Sequence, residues 1–257
     1  MPFTPTHIAA ILPIAAVGPR VLPFSALAIG SMIPDLPLFV PWSPAAYGTM
    51  HSPMGLVTAC LPLGWACFIV FQWLMKRPLF ALLPGAVQRR CALLAEPWAD
   101  ATLRGFAGVS LAIVVGAWTH LAWDAFTHEG RWGTTLVPRL NEVVLTVAGH
   151  DLPGYKLLQY GSTLVALPAM ALLLAAWLYR QRAVAVAGEP ALPAGTKPAA
   201  YALVLAIPLG VALFVWHREG WSLYRQLFSA VTMSSLALMV LALTYSLVYH
   251  ATMKRSA

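Results

Sequence analysis

His120, Asp124 and His128 recur at four-residue spacing in the run 116–128, and each side chain can bind a divalent cation or carry a proton. At about 100° per residue, every fourth residue of a helix returns to the same face. The three therefore share one stripe. That stripe lies towards the end of an apolar segment, 105–127, long enough to cross a bilayer. At membrane depth an ionisable group costs about 2.5 kcal/mol or more unless it is paired, solvated or metal-bound. Three further groups flank apolar segments elsewhere: His7 in the opening turn, Asp35 between Pro34 and Pro37, and His51 ahead of the third segment.

Imidazole and carboxylate without thiolate suit a divalent metal, zinc first, with Mn²⁺, Fe²⁺ or Ni²⁺ also compatible. Cys60, Cys67 and Cys91 form no CxxC pair, so neither a thiolate zinc site nor a disulfide framework is indicated. A catalytic zinc takes three protein ligands and leaves a position for water, whose pKa it lowers to about 7. Five or six ligands also admit two metals. Two other readings stay open. The same groups could form a proton or cation relay of a transporter, or hydrogen-bond helices together in a non-catalytic scaffold.

The elements that must position these residues are membrane helices. Of the 257 residues 60% are hydrophobic and only 10% charged, which predicts an all-α, polytopic transmembrane bundle. The net charge of +7 is not gathered into an aromatic-laced stripe, which argues against nucleic acid as a partner. About seven segments are expected: a short first one ending near 18–20, then 21–40, 54–75, 105–127, 160–179, 199–216 and 228–250. The first is possibly partial, because about 15 residues span only ~22 Å. Pro34 and Pro37 predict a broken backbone around Asp35, with Leu36 pushed towards extended geometry.

Residues 76–104, basic with interleaved Leu93, Leu94 and Trp98, read as one interfacial helix. Residues 183–198, rich in Ala, Gly and Pro, read as a flexible linker. The chain thus divides into 1–135 carrying the metal site, an outer loop 136–159, and 160–257 with three further spans. No basic residue precedes Arg20, so the opening lacks the n-region of a cleavable signal peptide and reads as mature sequence.

With seven crossings and the N-terminus outside, eleven of the sixteen Lys and Arg residues fall on the inner side, including Arg20, Lys254 and Arg255. That bias favours this orientation, with a cytoplasmic C-terminus. His7, Asp35, His51, His120, Asp124 and His128 then all emerge at the outer leaflet. Ligands alternating between faces could not have met.

The opening MPFTPTH to His7, the Gly30-x-x-x-Pro34-Asp35 element, His51-Ser52 and His120-x-x-x-Asp124-x-x-Thr127-His128 together resemble a domain-of-unknown-function family of bacterial membrane proteins, the DUF4184 type. That family is similar to inner-membrane metal-dependent hydrolases and, more distantly, to zinc-dependent phospholipase C. The resemblance covers about the first 135 residues and implies metal-ligand roles for His7, Asp35, His51, His120 and Asp124. The hydrolases usually carry an Arg after a histidine ahead of the His-Ser element, where this chain has Met50. The expectation is a bacterial inner-membrane hydrolase of a lipid-linked or phosphoester substrate, with metal-activated water attacking. Asp124 or Asp35 would serve as base, and Arg131 would bind the substrate anion.

Overall fold

The computed structural model describes residues 4–17, 22–40, 44–147, 149–184, 192–218 and 220–253. Arg20, Lys254 and Arg255 of the orientation argument, and 185–191 of the linker, lie outside these. The chain is almost wholly helical: α1 (Thr4–Val17), α2 (Phe24–Phe39), α3 (Pro44–Met50), α4 (Pro53–Leu82), α5 (Gly85–Cys91), α6 (Leu103–Thr127), α7 (Trp132–Leu136), α8 (Gly154–Arg180), α9 (Thr196–Trp216) and α10 (Leu223–Met253). One antiparallel hairpin, β1 (Val143–Val147) and β2 (His150–Pro153), interrupts the series. Among the described residues five helices, α4, α6, α8, α9 and α10, are long and apolar enough to cross a membrane, while α1 and α2 are shorter.

Several local expectations are corrected. The backbone around Asp35 is not broken: Ile33–Asp35 tightens into a 3₁₀ turn and Leu36 stays helical at φ −50°, ψ −38°. Pro34 sits in the first turn of that 3₁₀ segment, where its fixed φ suits the helical backbone. The 76–104 segment is not one interfacial helix. Lys76 continues α4 to Leu82, Leu83 turns extended at ψ 151° ahead of Pro84, and a short α5 follows. The outer loop folds back as the hairpin, and α8 begins at Gly154, six residues before the expected start at 160.

The contacts divide the chain into two compact units. The first lies within 1–37, 42–68 and 100–177, the second within 38–41, 69–99 and 178–257. In the first unit α2 and α6 meet backbone to backbone, as small residues permit between membrane helices. A Cβ on Gly116 would lie 2.3 Å from the Leu27 carbonyl oxygen, and one on Gly30 the same distance from that of Ile113. Gly116→Val is therefore expected to lower stability by about 1–3 kcal/mol or more, read as a fall in the thermal midpoint of detergent-purified protein. An unchanged midpoint would contradict this crossing. Beside it Ile33, Met50, Leu56, Cys60 and Ala117 pack into one apolar cluster.

In the second unit the closing carbonyls of α4 are capped by side chains. Gln88 donates to Phe80 and Ala81, the Tyr201 hydroxyl to Leu82, and Lys197 to Leu83. These satisfy the acceptors that any helix end leaves open.

Candidate metal centre

α6 opens on a capped turn, the Thr102 hydroxyl accepting from Gly105 N–H at 3.1 Å. Its buried face then carries Gly116, His120 and Asp124. The close crossing brings α2 near enough for the His120 Nδ1–H to donate to the Ser31 carbonyl at 2.8 Å. With that proton placed, neutral His120 turns the lone pair of Nε2 inward.

His51 follows the same logic: its Nδ1 donates to the Tyr47 carbonyl at 3.0 Å, leaving Nε2 inward. Asp35, at the end of the 3₁₀ turn, is held at one oxygen by the Thr4 hydroxyl (2.7 Å to Oδ2) and offers Oδ1. His7 stacks on His120 with centroids 3.8 Å apart. Such anchoring of ligand side chains by backbone carbonyls and hydroxyls is the usual support of a metal site.

The inward atoms converge. His120 Nε2 lies 3.5 Å from Asp35 Oδ1 and 3.4 Å from Asp124 Oδ2. His51 Nε2 lies 3.6 Å from the same two oxygens, and His7 Nε2 3.7 Å from Asp124 Oδ1. Asp35 is 1% exposed, His120 0% and Asp124 3%. Six buried polar atoms here have no hydrogen-bond partner: both ring nitrogens of His7, Asp35 Oδ1, His51 Nε2, His120 Nε2 and Asp124 Oδ1.

Buried polar groups are seldom left unpaired, and these separations exceed hydrogen-bond length. They match two ligands about 2.1 Å from one cation at a tetrahedral angle, which stand ~3.4 Å apart. The residues fit a divalent metal. His7, His120 and Asp124, and equally Asp35, His51 and His120, form groups whose ligand atoms lie within 4.8 Å of one another.

His128 stands beside the cluster rather than in it. α6 ends at Thr127, and His128 is extended at φ −132°, ψ 140°, so the four-residue period that aligned His120 with Asp124 stops one residue short. Its Nδ1 faces Asp124 Oδ1 at 3.4 Å and its Nε2 meets the Gln159 amide nitrogen at 3.1 Å. Burial, first, with Arg131 contributing, holds its pKa below the ordinary value. Arg131 is half-buried just before α7, where its carbonyl accepts from Thr134 and Thr135.

A family model described as a domain of unknown function, DUF4184, matches residues 1–252. The chain belongs to that family. No curated protein and no solved structure matches it. The match takes in the later spans as well as the first 135 residues. Of these, α8 reaches the site, since it carries Gln159.

Sequence reasoning left out Thr4 as a partner of Asp35, and also Ser31, Tyr47 and Gln159. Tyr47 stands four residues before His51, a spacing that puts its carbonyl within reach of that ring, whereas Ser31 meets His120 across 89 residues and no local pattern marks it.

Proposed function

We propose that this DUF4184 chain is a membrane-embedded, metal-dependent hydrolase, with His7, Asp35, His51, His120 and Asp124 holding a divalent cation, zinc first. In this reading the chain makes seven segments in a bacterial inner membrane with the site towards the outer leaflet and the C-terminus cytoplasmic. The observation that carries it is the convergence of unpaired, buried donor atoms from α1, α2, α6 and the turn after α3.

A bound cation would lower the pKa of water and stabilise the negative charge that develops on an attacked ester or phosphoester. The chain's own groups divide the remaining work. Thr4 occupies one oxygen of Asp35, so Asp35 serves as ligand rather than base. Asp124 Oδ1, turned to His7 and His128 rather than to His51 and His120, is the oxygen available to take a proton from water. Arg131 offers a cation near His128 for a substrate phosphate. Clustering at one depth favours such a centre over a transport path, which requires polar groups through the membrane thickness.

The test measures metal content of detergent-purified protein together with release of headgroup or phosphate from lipid phosphoesters, before and after chelation. Stoichiometric metal and chelator-sensitive release are expected. Protein without metal, or release indifferent to chelation, would refute the reading; metal with ion flux in proteoliposomes and no hydrolysis would favour a transporter.

Affinity for the cation should also depend on pH. Burial opposes protonation of His51, but the carboxylates of Asp124 and Asp35 outweigh it and raise its pKa above the ordinary 6.5. A cation must displace that proton, so affinity falls as pH drops through the folded-state pKa and levels off above it. Titration of zinc binding between about pH 5 and 9 checks the sign.

A further inference from the structure

The geometry points to His128 as a positioning residue, resting on the metal-centre reading: its ring is locked by Gln159 and Lys156 of α8 so that Nδ1–H steadies Asp124, and neither nitrogen is left for the cation. The chain of contacts fixes every proton. Lys156 Nζ is a donor only, and it reaches the Gln159 side-chain oxygen at 3.2 Å. The other end of that amide must then be the NH₂, which lies 3.1 Å from His128 Nε2. Gln159 is 1% exposed, so water does not compete freely for either end. Meeting a donor, Nε2 must supply its lone pair.

The opposite nitrogen agrees independently. His128 Nδ1 faces three oxygens: the Asp124 carbonyl at 3.3 Å, Asp124 Oδ1 at 3.4 Å and the Thr127 hydroxyl at 3.2 Å. That hydroxyl already donates to the Trp123 carbonyl, so it too acts as acceptor towards the ring. Nδ1 therefore carries the hydrogen. A neutral imidazole with Nδ1–H directed at Asp124 and Nε2 committed to Gln159 cannot coordinate a metal. What it does is hold that N–H on the Asp124 carbonyl and the Thr127 hydroxyl, with its positive end 3.4 Å from Oδ1, which accepts no hydrogen bond, while Oδ2 faces His51 and His120.

The test uses the full chain in detergent loaded with Co²⁺, reading affinity by competition with a chelating dye and ligand number by the visible absorption of the bound ion. His128→Ala should weaken binding roughly 10–100-fold with the band shape unchanged, as loss of an outer-shell partner does. His128→Asn places an amide N–H near the position of Nδ1, and should return affinity to within about threefold of the parent. Gln159→Glu offers Nε2 only acceptors, moving the ring hydrogen to Nε2 and turning a lone pair on Asp124, so it should weaken binding about tenfold or more.

An altered Co²⁺ spectrum in His128→Ala, His128→Asn as weak as His128→Ala, or an indifferent Gln159→Glu would each overturn the assignment while the metal centre stands. A parent chain that takes up no Co²⁺ overturns both.

Discussion

Asp124→Asn is expected to lower the metal content of the purified protein to background, with an affinity loss of roughly 10²-fold or more. The side chain is the hub of the cluster: His7, His51, His120 and His128 all approach one of its two oxygens at 3.4–3.7 Å. Asparagine keeps the shape but removes the negative charge and one acceptor. Structural zinc sites bind with about 10–16 kcal/mol shared among four ligands, so one ligand is worth about 3 kcal/mol, which is roughly 10²-fold. Asp151→Asn is the control, because that carboxylate is exposed on the hairpin, where it accepts from the Thr146 hydroxyl at 2.7 Å. Element analysis after exhaustive dialysis separates the outcomes. Asp124→Asn holding as much metal as Asp151→Asn would remove the case for a shared centre.

Part of this centre is legible in the sequence. His120 and Asp124 share a face because α6 is regular between them, and periodicity is reliable inside a long helix. No periodicity links Asp35 and His51 to them; the resemblance implies ligand roles for both, and the expected topology puts them on one side. What periodicity could not see is where regularity stops. His128 has the spacing of a ligand, yet it follows the last helical residue and is extended, so its ring reaches Asp124 from the side. Pro34 and Pro37 misled in the opposite direction. Proline is read as a break, but at the opening of a 3₁₀ turn its missing N–H is tolerated and Asp35 keeps a helical frame. The Gly30 and Gly116 contacts belong to a crossing between distant segments, which no local pattern encodes. Gln159 was hidden for the same reason, since its role depends on where α8 lies beside α6.

Chelation supplies the second large effect: stripping the cation should lower the thermal midpoint of the parent by the order of 10 °C and leave Asp124→Asn almost unmoved. A ligand present at 1,000 times its Kd stabilises the folded state by about 4 kcal/mol, and for a chain of this size each kcal/mol shifts the midpoint by about 2–4 °C. The physical source of the stabilisation is local. Without a cation, Asp35 Oδ1, Asp124 Oδ1 and the inward nitrogens of His7, His51 and His120 remain buried without hydrogen-bond partners. Each such group carries a penalty of about 1–3 kcal/mol that a metal relieves.

Thr4→Val gives the intermediate case. It frees Oδ2 of Asp35 without touching the cluster's inner atoms, so its metal-linked shift should be smaller than the parent's but still present. The ordering parent, Thr4→Val, Asp124→Asn distinguishes a cation bound at this cluster from one adhering to the surface, because surface binding would give the three proteins the same chelator response.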